Sequence, residues 1–300
     1  MGILNRVIGR PTWRTRSFSL AGRWLPAGAV LTGLALLGGA VPASAQTLTW
    51  SVVHSPNRRA TSNILDAVSC ASPSVCMATG HRLNMAGSLV TLAESWNGTR
   101  WSLVRSPNVG REGNQLVGVS CVSANACMAV GFTQGGPGGT LAESWNGSRW
   151  SVVHTPSPGN TGADLGGVSC VAADACTAVG AFSTNGNSLS TLVESWDGSR
   201  WSVVPSPSPG TVQTLLNGVS CASKTACSAA GYYNPRVGTR SLVESWDGSS
   251  WSVVPTPNPG VVDHILNGVS CPSPDMCMAA GFFFGQSKYR TMTLLGTATG

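Results

Sequence analysis

The chain has 300 residues, 42% of them hydrophobic and 10% charged, with 37 Gly, 18 Pro, 11 Trp and 10 Cys. That content of apolar residues, Trp and Cys excludes a disordered chain, since low hydrophobicity and high charge are what keep a chain from burying a core. The formal charge of +6 belongs to the first 45 residues, whose five arginines face no acid; residues 46–300 carry +1 and only two lysines, Lys224 and Lys288, which excludes the basic surface that nucleic acid demands.

The N-terminus sets the compartment. Arg6, Arg10, Arg14, Arg16 and Arg23 precede an uncharged apolar run from Leu25 to Val41, followed by Pro42-Ala43-Ser44-Ala45. A basic start, an apolar middle and small residues at Ala43 and Ala45 predict a secretory signal over residues 1–45, cut before Gln46. The alternative is an uncleaved N-terminal membrane anchor, because an apolar stretch approaching about 20 residues can just span a bilayer. Helix-weakening Gly and Pro favour the signal, and no second such stretch occurs. Residues 46–300 are therefore expected to be exported, with no membrane contact beyond the leader.

The rest of the chain repeats. Trp50, Trp101, Trp150, Trp201 and Trp251 recur at steps of 51, 49, 51 and 50, and Cys70, Cys121, Cys170, Cys221 and Cys271 at the same steps. Each unit of about 50 residues holds four runs of strand-forming residues. Strand A (such as Leu116 to Cys121) and strand B (Cys127 to Phe132) are separated by five residues. A variable loop leads to strand C (Thr140 to Trp145), and Asn146-Gly147 turns into strand D (Arg149 to Val153), the dipeptide being the strongest short-range hairpin signal. Four antiparallel strands at this period make a β-propeller blade. The exported part opens on a lone strand D (Leu48 to Val53) and closes on strands A, B and C (Leu266 to about Thr297). The predicted fold is all-β: a five-bladed propeller over residues 46–300, closed by pairing the N-terminal outer strand with the C-terminal three. Closure would remove the sheet edges that otherwise template aggregation.

Gly131 after strand B, Glu143 in strand C and Trp150 opening strand D stand where kelch repeats carry a glycine pair, an acid and a Trp. In outline residues 47–298 thus resemble a secreted bacterial kelch-like β-propeller repeat protein. A single glycine replaces the pair and the cysteines are foreign to that pattern, so the resemblance implies the fold and not intracellular kelch functions.

All ten cysteines fall in C-x5-C pairs: Cys70–Cys76, Cys121–Cys127, Cys170–Cys176, Cys221–Cys227 and Cys271–Cys277. In an exported chain these read as five disulfides, each stapling an A–B hairpin; a metal or redox site is not supported, and no cofactor is expected. With a two-residue turn at Asn97-Gly98, Glu94 would face Trp101 and Arg100 would face Ser95. Glu94, Glu143, Glu194 and Glu244 then lie between blades, with Gly296 in that place in the fifth unit.

The D–A and B–C loops vary while the A–B and C–D turns repeat, so the D–A/B–C side is where a site is expected. His81, Arg82, Tyr232, Tyr233, Arg236 and Phe283 on that side offer apolar faces and hydrogen-bond donors suited to a carbohydrate. This predicts a monomeric, non-enzymatic binding or display module whose partner is a carbohydrate or an extracellular protein. The alternative is a glycoside hydrolase, which needs two carboxylates about 5 to 10 Å apart. Asp66, Glu112, Asp164 and Asp263, which break the fivefold pattern, are its candidate catalytic acids.

Overall fold

The structure is a computed structural model that describes residues 49–58, 60, 62–110, 113–135, 138–159, 161–183, 185–259 and 262–298. The chain divides into two compact units, Met1–Trp50 and Ser51–Gly300. The expected signal segment and its cleavage point lie outside the described residues, and the fold is that of the second unit.

Five antiparallel sheets follow one another, and no helix occurs among the described residues. Sheet 1 is β1 (Ser62–Ser72), β2 (Val75–Leu83), β3 (Leu89–Trp96) and β4 (Trp101–Val104). Sheet 2 is β5 (Asn114–Ser123), β6 (Ala126–Thr133), β7 (Gly139–Trp145) and β8 (Trp150–Val153). Sheet 3 is β9 (Ala163–Ala172), β10 (Ala175–Phe182), β11 (Ser190–Trp196) and β12 (Trp201–Val203). Sheet 4 is β13 (Thr214–Ser223), β14 (Ala226–Tyr233), β15 (Arg240–Trp246) and β16 (Trp251–Val254). Sheet 5 has three strands, β17 (Val262–Ser273), β18 (Met276–Gly285) and β19 (Lys288–Thr297). All-β architecture from repeated four-stranded meanders is as the period predicted.

Each A–B hairpin is longer than its sequence suggested. The ladder runs past the cysteines to a two-residue turn, so the five residues between paired cysteines are mostly strand, and Cys121 stands directly opposite Cys127. All five disulfides form, each with its Cα atoms 3.9–4.1 Å apart. The first strand also carries a bulge, between Leu116 and Gly118 in sheet 2, which re-aims its later residues. Opposite the bulge the second strand must be glycine: a Cβ on Gly131 would collide with the Gln115 carbonyl oxygen, and Gly80, Gly180, Gly231 and Gly281 are confined in the same way.

Successive sheets meet through their first strands, in four like joints. Leu116, Leu165, Leu216 and Leu266 lie fully buried against the preceding sheet. Leu165, for example, packs with Met128, Val130 and Ala142 of sheet 2. Burying one such side chain stabilises by about 1.5–3 kcal/mol, so the joints, not the single sheets, hold most of the core. Each joint also carries a bond from backbone to side chain: the amides of Cys121, Cys170, Cys221 and Cys271 donate to Ser69, Ser120, Ser169 and Ser220 Oγ of the sheet before, at 2.9–3.0 Å.

Two expectations are corrected. The C–D hairpin has four residues between its strands instead of two, with Asn97 Oδ1 accepting from the amides of Thr99 and Arg100 and the Asn97 amide donating to the Arg100 carbonyl at 3.3 Å. Trp96 therefore faces Trp101, and Glu94 faces Leu103. In sheet 5 Gly281 pairs with Met292 and Ala279 with Leu294, as Gly80 pairs with Leu92 and Ala78 with Glu94. Leu294, not Gly296, thus occupies the glutamate position.

The terminal closure is not formed in this structure. Residues 51–58 carry no strand, Val52 and Val53 are exposed, and the outer edge of β19 has no partner among the described residues. The reason is positional: Ser55 lies over sheet 1, at the opposite end of the row from β19.

Candidate functional site

The buried glutamates belong to the joints. Glu94, Glu143, Glu194 and Glu244 are 0–1% exposed. The hydroxyl that follows the fourth strand of one sheet reaches the glutamate of the next. Ser106 Oγ donates to Glu143 at 2.9 and 3.0 Å, and Ser206 to Glu244 at 2.5 Å. Ser55 does the same to Glu94 at 2.9 and 3.0 Å. Over Glu194 stands Thr155, whose hydroxyl lowers the Glu194 carboxyl in part and also bonds to Thr140 and to the Pro156 carbonyl.

Burial raises these carboxyls and the hydroxyls offset only part of it. Glu143 and Glu194 are pushed up to about 8 and Glu244 to about 7, with Glu94 raised in the same direction. At neutral pH Glu143 and Glu194 are mostly protonated, a neutral form that a dry joint tolerates far better than a charge. Leu294 occupies the same position in sheet 5. These acids serve the packing between sheets.

On the varied side the structure brings together residues far apart in sequence. Asp66 is the bulged residue of β1, where a side chain is re-aimed off the regular ladder. His81 Nδ1 lies 2.8 Å from Asp66 Oδ2 and 2.9 Å from the Gln115 side-chain amide of sheet 2. The His81 and Asp66 side chains are 14% and 27% exposed. The result is a polar cluster spanning two sheets and reaching solvent.

The other expected residues divide. Tyr232 is half-buried in β14; burial first, then the charge of Asp164, raises its hydroxyl. Tyr233 and Arg82 are half-buried and Arg236 is exposed, and among the described residues none of the three joins the His81 cluster through a hydrogen bond or ion pair. Phe283 stacks on the buried ring of His264, centroids 5.9 Å apart, so packing engages one of its faces.

The four acids of the hydrolase alternative are dispersed or engaged. Asp66 is bound to His81, while Asp164 in sheet 3 accepts from the Ala181 amide at 3.2 Å and is raised by burial. Asp263 lies in a bulge of sheet 5 at φ 58°, and Glu112 lies outside the described residues.

Sequence reasoning missed two features. Gln115 gave no signal, being an ordinary strand residue until the fold sets it beside His81. The second is a cleft of about 200 Å³ between sheets 3 and 4 on the stapled side, whose lining includes Trp196, Ser195, Asp174 and Lys224. Lys224 Nζ lies 3.3 Å from Asp174 there. A smaller cleft of about 90 Å³, with Trp246, repeats it between sheets 4 and 5. The recurring Trp closing each third strand, beside turns of opposite charge, was the available signal.

No family model matches the chain, and no curated protein does. Among solved structures it is similar to the fungal lectin of Aleuria aurantia, described as a six-bladed β-propeller with a novel fucose recognition mode. That match has 13% identity and a TM-score of 0.47, over 78% of each chain. It is also similar to SapL1 lectin in complex with α-methyl fucoside (12% identity, TM-score 0.44, 77% of this chain and 78% of that one). YCF48 bound to D1 peptide matches at 12% identity and a TM-score of 0.46, over 82% of this chain and 71% of that one.

Proposed function

We propose that the chain is an extracellular, non-enzymatic binding module on a propeller-like scaffold, and that its ligand is a carbohydrate held on the varied side. The observation that carries this reading is the Asp66–His81–Gln115 cluster, which spans two sheets and stays partly open to solvent. If the His81 Nδ1 hydrogen is given to Asp66, Nε2 and the Gln115 amide remain for hydroxyl groups; Tyr232 and Tyr233 stand in sheet 4, apart from that cluster, and offer rings for a separate sugar contact. Five disulfides suit an oxidising, extracellular setting.

One observation favours a second location. The cleft between sheets 3 and 4 places the partly exposed Trp196 beside an ion pair, a combination equally suited to a sugar ring. A glycan screen of the oxidised protein against His81→Ala, Tyr232→Ala and Trp196→Phe variants separates the two. Loss of binding of at least tenfold in the first two, with Trp196→Phe unaffected, supports the varied side. Loss only in Trp196→Phe moves the site to the stapled cleft, and binding unchanged in all three overturns both placements.

A further inference from the structure

We propose that the two ends of the five-sheet row are the halves of one more joint, and that a second copy of this chain completes it, head to tail. The parts of the four internal joints recur at the ends, and apart from the Ser55 cap on Glu94 they stand unused there. On sheet 1, Leu65 is 41% exposed where its counterparts Leu116, Leu165, Leu216 and Leu266 are at most 1%, and Val68 is 63% exposed where Val119 and Val219 are 8–9%. On sheet 5, Met278 is 41% exposed where its counterparts Met77 and Met128 are 3–4%. The side that a preceding sheet covers is bare on the first, and the side that a following sheet covers is bare on the last.

The polar parts agree. Ser270 stands where Ser69, Ser120, Ser169 and Ser220 accept the next cysteine amide, and Cys70 stands where those amides donate. The glycine column shows the same break. A Cβ on Gly118, Gly167 or Gly218 would lie 3.1–3.2 Å from the next glycine's Cα, whereas one on Gly268 would meet nothing within 4 Å.

The strand that would complete sheet 5 is also marked. Ser106 follows β4 of sheet 1 and caps Glu143 of sheet 2; Ser55 caps Glu94 of sheet 1 in the same way. The segment before it, Ser51–Val53, therefore lies where the fourth strand of a sheet preceding sheet 1 belongs. By the register of β3 with β4, Ser51 would stand opposite Leu295, Val52 opposite Leu294 and Val53 opposite Thr293 of a neighbouring copy.

A second copy, rather than the chain's own far end, fits because the four joints are uniform and leave both ends bare. Adding a copy repeats that joint unchanged. Such a heterologous contact extends or closes into a ring according to its rotation.

The test introduces Ser51→Cys and Leu295→Cys together, in a one-to-one mixture of unlabelled and 15N-labelled chains, oxidised after mixing. The cross-linked peptide is then read by mass spectrometry. Head-to-tail association predicts that about half of the 51–295 cross-links carry one labelled and one unlabelled partner. It also predicts that wild-type mass by light scattering rises with concentration, and that Val52→Pro, which disables the strand edge, lowers it. Cross-links of uniform label only, which mean closure within one chain, or no cross-link in a folded protein, overturn the proposal.

Discussion

Replacing Glu143 by Gln changes how stability depends on pH, and the direction follows from the joint. An unfolded glutamate loses its proton near its ordinary value of 4.5; Glu143, between sheets 1 and 2, holds its own to about 8. Between those values the folded chain keeps a proton that the unfolded chain has released, so stability falls as pH rises. The slope is about 1.4 kcal/mol per pH unit per group. The stabilisation is full below the unfolded value and is exhausted as pH passes the folded one. Across the window this amounts to at most about 4–5 kcal/mol, and local relaxation and water entry reduce it to about 2 kcal/mol.

Glu143→Gln has no proton to lose. Its oxygen still accepts from Ser106, while its amide N–H adds a buried donor that costs about 1 kcal/mol at every pH. The variant should therefore be less stable than wild type by about 1 kcal/mol at pH 5 and more stable by about 1 kcal/mol at pH 9. Urea unfolding followed by Trp fluorescence at pH 5, 7 and 9 measures the difference, in which the titration of the other glutamates cancels. A difference that stays constant across the range would refute a neutral, buried Glu143.

Further consequences concern the repeat. Gly131→Ala forces a Cβ into the Gln115 carbonyl oxygen; a loss of at least about 3 kcal/mol is expected in chemical unfolding, and wild-type stability would mean the bulge is absent. Removing one staple with Cys121→Ala and Cys127→Ala should cost about 2 kcal/mol, as for any loop this short, read as a lower urea midpoint. Leu165→Ala in the joint between sheets 2 and 3 should cost about 3 kcal/mol, against under about 1 kcal/mol for its counterpart Leu65→Ala when the chain is dilute enough to be monomeric. Equal losses at that dilution would show that the chain covers its own first sheet.

Much of the scaffold was legible because it repeats. A period near 50, cysteine pairs at one spacing and glutamates two residues before a Trp are each written four or five times, and repetition separates signal from accident. What stayed illegible is local geometry that one dipeptide does not determine. Asn97-Gly98 is compatible with a two-residue turn, whereas the hairpin has four, with the side chain of Asn97 capping Thr99 and Arg100. The spacing of the fifth unit points to Gly296 at the glutamate position, whereas the ladder, set from Gly281, puts Leu294 there. The expected closure rested on complementary ends, which are real. Complementarity does not specify whether the partner is the same chain.

The site was less visible for a physical reason. Asp66, His81 and Gln115 are 15 and 34 residues apart and join only when two sheets pack. The aromatic residues of the varied loops were visible, but Phe283 was committed to His264 by stacking that no spacing reveals.

The claim that this scaffold binds without turnover is tested most directly by titrating the oxidised protein with a panel of oligosaccharides while assaying the same samples for released reducing ends. Saturable binding with no release is the predicted result. Release of product that is lost on Asp164→Asn, or no binding to any saccharide, would contradict it.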